Sequence, residues 1–217
     1  MTEYSHLLFD LDGTLTEPEE GITKSIQYAL HKMGIEVKDR KSLCRFIGPP
    51  LIPAFCKEYG MSEQESRQAL YYYRERFCTV GMFENEVYGG IPELLKSLKQ
   101  AGKTLLVATT KPTPQAEQIL KHFNLAQYFN GIAGSNLDET RTDKAEVIEY
   151  ALSLAPPAEK NAVCMIGDRM YDAAGAIKNS ISFIGVLYGH GSKDELKGAG
   201  AKTLVPSVAA LYDYLLK

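Results

Sequence analysis

The sequence predicts an α/β fold: a Rossmann-like parallel sheet covered by helices on both faces, with an inserted all-helical domain. Short apolar runs that are typical of buried strands occur at residues 6–9, 104–108, 162–166 and 182–187. Stretches with helical spacing lie between the later runs, and this alternation favours parallel strands with helices on both sides. A long segment after the first run carries only helix signals, which indicates the insertion.

Three groups of apolar residues predict the helices that lie between the strands. They are Leu94, Leu95 and Leu98; Ala116, Ile119, Leu120 and Phe123; and Val147, Ile148, Ala151 and Leu152. Each group places its apolar side chains on one face of a helix, as is expected of a helix that packs on a sheet.

The first helix of the insertion is predicted to begin at a capping box, Thr16-x-x-Glu19, and to end at Gly34. Ser62-x-x-Glu65 is a second candidate capping box and opens another predicted helix. The apolar stripes of the two helices are Ile22, Ile26, Leu30 and Met33, and then Ala69, Tyr73, Phe77 and Val80.

These signals place the helical domain at residues 16–86 and the sheet domain at residues 1–15 and 87–217. Within the helical domain, the three tyrosines at 71–73 are expected to contribute to packing, with one ring exposed. The chain returns to the sheet domain through Gly89 and Gly90, which form either a hinge or a plain turn.

Bulk properties exclude several classes of protein. The net charge of -3 gives no overall field that would attract a nucleic-acid backbone, so no polymeric nucleic acid is expected as a partner. No apolar stretch of about 18 residues exists, so no membrane span is expected. The four cysteines are scattered, and Met1-Thr2-Glu3 does not lead into a basic and then apolar leader, so we expect a reduced, cytoplasmic protein. Separately, a monomer is preferred as the oligomeric state.

Polar residues follow the predicted strands, where ligands of open parallel sheets bind. Asp10 and Asp12 come directly after the first run, with Gly13 permitting a sharp exit. Two acids this close either bind a divalent cation or divide nucleophilic and proton-transfer roles between them. A plain polar turn is the alternative when this fragment is considered alone.

Asp168 and Asp172 follow the third run, one helical turn apart. Each of them alone is compatible with a helix cap or a solvated acid. Beside Asp10 and Asp12 they predict a site for Mg²⁺, because a hard cation with oxygen ligands offsets the charge of clustered carboxylates.

Thr109, Thr110 and Lys111 end the second run and form a donor-rich group suited to phosphate oxygens. Lys144 lies in the predicted first turn of a helix. Capping threonines and a surface lysine are the ordinary alternatives for these positions.

In this order, Asp10-x-Asp12-Gly13-Thr14, Thr109, Lys144 and Gly167-Asp168-x-x-x-Asp172 resemble the haloacid dehalogenase superfamily over nearly the whole chain. The helical insertion resembles the cap domain of its phosphoglycolate phosphatase-like branch, to which 5'-nucleotidases, pyrophosphatases and β-phosphoglucomutases are neighbours. The resemblance implies a Mg²⁺-dependent phosphatase that acts on a small phosphorylated metabolite, either phosphoglycolate-like or nucleotide-like.

The resemblance also implies a role for each matching residue. Asp10 is the nucleophile and Asp12 the acid and base. The metal ligands are Asp10, the main-chain carbonyl of Asp12 and Asp168, with Asp172 in support. The phosphate is held by Thr109, Thr110 and Lys144.

Substrate selection is expected from Arg45 and Gly48 in a cap loop and from Lys111, although a solvated surface arginine is equally compatible with Arg45. Two other functions stay open at this point. One is a phosphomutase, and the other is a signalling receiver domain that accepts a phosphoryl group without repeated turnover.

Overall fold

The computed structural model describes residues 4–217, so the expectation about the leader, which falls on Met1-Thr2-Glu3, lies outside the described residues. The chain divides into two compact units. The core unit comprises residues 4–17 and Val87–Lys217, and the helical unit comprises Pro18–Glu86.

The strands, in chain order, are β1 (His6–Phe9), β2 (Thr16–Glu17), β3 (Glu86–Val87), β4 (Thr104–Pro112), β5 (Gly131–Ser135), β6 (Val163–Gly167), β7 (Ser182–Val186) and β8 (Thr203–Val205). Six of them form one parallel sheet in the order β5-β4-β1-β6-β7-β8. In register, Phe9 of β1 faces Val107 of β4 on one side and Ile166 of β6 on the other. The strand that leads to Asp10 is therefore central in the sheet.

The helices, in chain order, are α1 (Glu19–Lys32), α2 (Leu51–Tyr59), α3 (Glu63–Phe77), α4 (Ile91–Gln100), α5 (Thr113–His122), α6 (Lys144–Ser153), α7 (Met170–Lys178), α8 (Lys193–Gly198) and α9 (Val208–Leu216). The last six surround the parallel sheet. The α/β fold class predicted from the sequence is confirmed, with each of the three predicted helices of this unit present at α4, α5 and α6.

The four predicted strands correspond to β1, β4, β6 and β7. The sequence analysis missed β5 and β8 because their local signals are weak. Strand β5 reads Gly-Ile-Ala-Gly-Ser, with only two large or medium apolar residues, and β8 is three residues long. Both lie at the ends of the sheet order, where pairing with a neighbour decides the conformation more than local preference does.

The core of this unit forms between the sheet and its helices. Leu8, Leu106 and Met165 come from three adjacent strands and are fully buried, and Val147 and Ile148 of α6 belong to the same cluster. Full burial of such a side chain stabilises the fold by about 1.5–3 kcal/mol. This packing holds the strand ends, and the start of α6, at fixed positions.

In the helical unit, one capping box is confirmed and one is wrong. Ser62 accepts a hydrogen bond from the Glu65 N–H while the Glu65 carboxylate accepts one from the Ser62 N–H, so α3 begins as predicted. Thr16 instead lies in β2, and α1 begins at Glu19 after Pro18. The N-cap residue of α1 is Pro18, and Thr16 Oγ1 is buried with no hydrogen-bond partner among residues 4–217, so Thr16 does not cap the helix.

The apolar stripes of α1 and α3 are confirmed except at their last positions. Met33 caps α1 and is half-buried, and Val80 lies three residues beyond α3 with half of its surface exposed. Of the tyrosines, Tyr73 is buried and Tyr71 is exposed, as predicted. Helical spacing alone does not indicate where a helix stops.

Charged side chains at the edge of the helical unit form a small network. The carboxylate of Glu84 lies 2.7 Å from Arg76 Nη1 and 3.0 Å from Lys24 Nζ. Hydrogen bonding from Arg76, assisted by Lys24, lowers the pKa of Glu84 from 4.5 to about 2. This carboxylate thus ties α1 and α3 to the segment that leaves the unit.

Across residues 4–217, no helix is both long and apolar enough to cross a membrane.

Candidate active site

Three acidic side chains meet at the carboxyl ends of the central strands. Asp10 follows β1, Asp168 follows β6, and Asp172 lies in the first turn of α7. All three are buried, and one carboxylate oxygen of each lies within 4.8 Å of the others. Parallel strands end at the same edge of a sheet, so residues far apart in sequence come together there.

Lys144 reaches this cluster from the start of α6. Its Nζ lies 3.0 Å from Asp10 Oδ1 and 2.7 Å from Asp172 Oδ1, and it donates to the Ala108 carbonyl at 2.9 Å. These three contacts match the three donors of an ammonium group. The N-cap residue Asp143 fixes the start of the helix by accepting from the Ala145 N–H at 2.7 Å.

The cluster carries three carboxylates and one ammonium, and burial together with the charges of these groups shifts the pKa values of Asp168, Asp172 and Lys144. Burial, followed by repulsion from Asp172 and Asp10, raises the pKa of Asp168 from 3.8 to about 7. Burial raises the pKa of Asp172 to about 6, against the opposing effect of Lys144. For Lys144, burial lowers the pKa, but attraction from Asp10 and Asp172 outweighs it and the net shift is upward.

Two glycines leave the space that the side chain of Asp168 occupies. Gly13 has a φ of +79°, and a Cβ at this position would lie 2.3 Å from Asp168 Oδ2. A Cβ at Gly189 would lie 2.6 Å from the Asp168 Cβ. The His190 N–H donates to Asp168 Oδ2 at 2.7 Å, and Thr14 Oγ1 donates to Oδ1 at 3.4 Å.

Asp12 lies beside the cluster and pairs with a different lysine. Lys111 Nζ lies 2.9 Å from Asp12 Oδ2, and both side chains are almost fully buried. Burial raises the pKa of Asp12; Lys111 opposes this shift and Asp10 adds to it. A buried carboxyl group with a raised pKa is suited to proton transfer.

The two threonines predicted to hold phosphate lie at the end of β4. Thr109 is buried, and its Oγ1 accepts from the Lys111 N–H at 3.3 Å. Thr110 is half-buried. Helix α5 begins only at Thr113, so these residues precede the helix by several positions rather than standing at its first turn.

Of the ten residues predicted for the site, six form the acid cluster with Lys144 and the neighbouring pair of Asp12 and Lys111, all within the core unit. Thr109 and Thr110 belong to the same unit, near the end of β4. Arg45 and Gly48 belong to the helical unit, in and just after a 3-10 helix, Arg40–Phe46. Arg45 Nη1 lies 3.0 Å from a Glu58 carboxylate oxygen, and its side chain is half exposed. A role for either residue in substrate selection stays a prediction.

A hydrogen-bonded network around His190 was not predicted from the sequence. Its Nε2 lies 2.9 Å from Glu17 Oε1, and the Tyr88 hydroxyl donates to Glu17 Oε2 at 2.6 Å. Through its main-chain N–H, His190 also holds Asp168. The glycines on both sides of His190 were the sequence feature that could have indicated its position, since they permit its loop to approach Asp168. No local sequence feature of Glu17 or Tyr88 indicates that they belong to this network.

The donor set of the cluster fits a hard divalent cation. Asp10, Asp168 and Asp172 offer carboxylate oxygens, the ligands that Mg²⁺ prefers. Burial and repulsion between neighbouring carboxylates raise the pKa values of Asp168 and Asp172. A divalent cation would balance the negative charge that one ammonium leaves uncompensated.

Known proteins similar to this chain are phosphatases and related enzymes. A 5'-nucleotidase from Pseudomonas aeruginosa is 47% identical over 212 residues, covering 98% of this chain and 96% of that protein. A tyrosine-protein kinase from Mycobacterium tuberculosis is 35% identical, covering 96% of this chain and 70% of that protein. A crystal structure of a predicted phosphatase from Clostridium acetobutylicum superimposes with a TM-score of 0.94 at 51% identity, covering 98% of each chain.

Residues 7–186 match the haloacid dehalogenase-like hydrolase family. This range includes the strand ends, both lysines of the site and all of the clustered acids. The resemblance and the enzyme class expected from the motifs are thus confirmed. The chain belongs to the haloacid dehalogenase-like hydrolase family and is a phosphatase.

Proposed function

We propose that this phosphatase depends on Mg²⁺ and hydrolyses a small phosphomonoester through an aspartyl-phosphate intermediate on Asp10. The observation that carries the proposal is the buried cluster of Asp10, Asp168 and Asp172, joined by Lys144. An anionic carboxylate approaches a phosphate dianion only where positive charge screens their repulsion, and this cluster offers both a lysine and a cation site.

In the first step, a carboxylate oxygen of Asp10 forms a bond to phosphorus while the bond from phosphorus to the leaving oxygen breaks. Asp12 donates a proton to that oxygen, for which its buried position and raised pKa are suited. Thr109, Thr110 and Lys144 hold and orient the phosphoryl oxygens. Because the three donors of the Lys144 ammonium are all in use within the chain, it must exchange one of those contacts for a phosphoryl oxygen.

In the second step, Asp12 takes a proton from a water molecule, whose oxygen bonds to phosphorus. The bond between phosphorus and the Asp10 oxygen breaks, which releases phosphate and restores the Asp10 carboxylate. One residue thus serves as acid and then as base.

Mg²⁺ would be held by Asp10, Asp168 and the main-chain carbonyl of Asp12, with Asp172 in support. When bound, it supplies positive charge that offsets the charge on the transferring phosphoryl group. The side chains of Asp168 and Asp172 are oriented by hydrogen bonds from the His190 and Arg169 N–H groups, at 2.7 Å and 3.0 Å.

Nucleoside 5'-monophosphates are the first substrate class to test, because the 5'-nucleotidase is 47% identical over nearly the whole chain. Phosphoglycolate-like substrates come next, since phosphoglycolate phosphatases are also among the relatives. Selection between them is proposed to lie with the helical unit acting as a cap domain, including Arg45 and Gly48. Arg45→Ala should change the ratio of kcat/KM between the two classes.

The proposed nucleophile is tested with Asp10→Asn. This variant should fold normally and lose measurable turnover, whereas Asp213→Asn, which changes an exposed aspartate of α9, should match the wild type. Wild-type turnover by Asp10→Asn would refute the proposal.

Two further measurements separate the alternatives. With isotope-labelled water, a hydrolase puts solvent oxygen into the released phosphate, whereas a phosphomutase returns the phosphoryl group to its organic substrate. Sustained release of p-nitrophenol from p-nitrophenyl phosphate contradicts a receiver domain, which would be phosphorylated once without repeated turnover.

A further inference from the structure

We propose that Lys111 is a positioning residue for Asp12: it holds Oδ2 of the carboxylate, so that Oδ1 is the oxygen that carries the proton to the leaving group. The inference rests on the proposed function of Asp12 as acid and base. It assigns Lys111 a role other than substrate selection.

The contacts of the Asp12 carboxylate divide between its two oxygens. Oδ2 lies 2.9 Å from Lys111 Nζ, and the two side chains are 11% and 6% exposed. Oδ1 is buried and has no hydrogen-bond partner among residues 4–217. Leaving a buried polar atom unpaired costs about 1–3 kcal/mol, so this oxygen is suited to a partner supplied from outside the chain.

The main chain at Lys111 makes a hydrogen bond through its N–H and a close contact through its carbonyl oxygen. The Lys111 N–H donates to Thr109 Oγ1 at 3.3 Å. The pairing of β4 with β5 becomes irregular between Ala108 and Pro112, which includes Lys111. A Cβ at Gly134 of β5 would lie 2.3 Å from the Lys111 carbonyl oxygen, so only glycine permits this approach. A side chain on such a backbone starts from a fixed position, as positioning requires.

An alternative is that Lys111 contacts the substrate directly. The two roles differ in what they predict for different leaving groups. A substrate contact affects every phosphomonoester through KM. A residue that positions the general acid affects the transfer step only where the leaving oxygen needs a proton.

Two substrates of similar shape separate these roles. The leaving group of p-nitrobenzyl phosphate is an alkoxide, which requires a proton as the phosphorus–oxygen bond breaks. The leaving group of p-nitrophenyl phosphate is a stabilised phenolate, which does not. Single-turnover rates of formation of the Asp10 phosphoenzyme report this step without the later hydrolysis.

For Lys111→Met, we expect the single-turnover rate with p-nitrobenzyl phosphate to fall about 100-fold, the lower end of general acid catalysis. With p-nitrophenyl phosphate, the fall should be under about threefold. Lys111→Arg, which keeps the charge, should recover part of the loss. In an Asp12→Asn background, Lys111→Met should add little, because the two residues act as a unit.

The control is Lys121→Met, which removes an exposed lysine of α5 paired with Glu117 at 3.7 Å. Its rates should equal those of the wild type with both substrates. If Lys111→Met does not fold, Lys111→Arg replaces it in the test, because even a displaced guanidinium alters the position of Asp12. The inference then requires a larger loss of rate with p-nitrobenzyl phosphate than with p-nitrophenyl phosphate.

Equal losses with both substrates, or a rise in KM alone, would overturn the inference. Its failure is distinguishable from failure of the proposed function. If the wild type forms a phosphoenzyme on Asp10 and the rate ratio does not respond to Lys111, only the role of Lys111 is wrong. If Asp10→Asn turns over normally, the proposed function itself is wrong.

Discussion

Lys144 Nζ lies 2.7 Å from Asp172 Oδ1, in an ion pair whose side chains are 4% and 0% exposed. The same ammonium lies 3.0 Å from Asp10 Oδ1. One lysine therefore joins the proposed nucleophile to an acid that supports the proposed metal site, and its removal should affect both stability and chemistry.

Lys144→Met should abolish activity and destabilise the metal-free protein. Removing one partner of a buried ion pair costs about 3–5 kcal/mol, because the carboxylates stay buried without their ammonium. Urea unfolding in the presence of a chelator, at a pH where the carboxylates are ionised in the wild type, measures the loss. Lys178→Met is the matched control, since its ion pair with Asp143 is exposed to solvent and should contribute little to stability. Equal losses in the two variants would contradict the buried-pair argument.

Mg²⁺ should stabilise the protein more at about pH 8 than at about pH 5.5. The pKa values of Asp168 and Asp172 are raised from 3.8 to about 7 and about 6. At pH values between 3.8 and about 7, the folded state therefore binds more protons than the unfolded state. The metal-free fold loses stability as pH rises through this range. Mg²⁺ competes with those protons and binds better once they have left.

Thermal unfolding with and without Mg²⁺ at both pH values checks this expectation. Asp168→Asn provides the control, because it removes a proposed ligand and should reduce the effect of Mg²⁺ at each pH. The same rise in melting temperature at both pH values in the wild type would show that protons and Mg²⁺ do not share the site.

Gly13→Ala should weaken Mg²⁺ binding and reduce activity strongly. Position 13 has a φ of +79°, and the new Cβ would lie 2.3 Å from Asp168 Oδ2, so the carboxylate must move. The left-handed conformation alone costs about 1–2 kcal/mol for a residue with a Cβ. Gly102→Ala isolates that cost, because Gly102 has a φ of +75° and no atom within 4 Å of the added Cβ.

Calorimetric titration with Mg²⁺ and steady-state kinetics compare the two glycine variants. Both should lose similar stability from the backbone conformation, and Gly13→Ala alone should lose metal affinity and turnover. If Gly102→Ala lost affinity to the same extent, the contact with Asp168 would not be the cause.

Glu84→Gln should destabilise the helical unit near neutral pH and have little effect in strong acid. Arg76, followed by Lys24, lowers the pKa of Glu84 from 4.5 to about 2. Its contribution is complete above the ordinary value and disappears as pH falls from 4.5 toward 2. We expect about 1–2 kcal/mol at neutral pH, after allowing for solvent screening.

The free energy of unfolding of wild type and Glu84→Gln, measured from neutral pH into acid, tests this. The difference between the two proteins should shrink as pH falls. Glu63→Gln is the control, since the pair of Glu63 with Arg67 is exposed on both sides and should contribute little at any pH. A difference that stays constant into strong acid would contradict the assignment to charge.

Much of the candidate site was predictable because its residues follow strands with strong local signals. Asp10, Thr109 and Asp168 each end a run of buried apolar residues, and parallel strands bring such ends to one edge. Thr16 shows the opposite case. A four-residue capping pattern predicted a helix start there, but the residue lies in a strand, since pairing outside the local window determines its conformation.

The sequence by itself determined the α/β class and the family resemblance, and it predicts the division into sheet and helical segments and the residues of the site. These follow from hydrophobic periodicity and from motif order, which are local properties. Only the tertiary structure decided which lysine forms an ion pair with which acid. Lys144 pairs with Asp10 and Asp172, and Lys111 pairs with Asp12. The reason is that ion pairs within a buried cluster depend on distances of a few ångströms between side chains from different strands and helices, and no spacing along the chain specifies them.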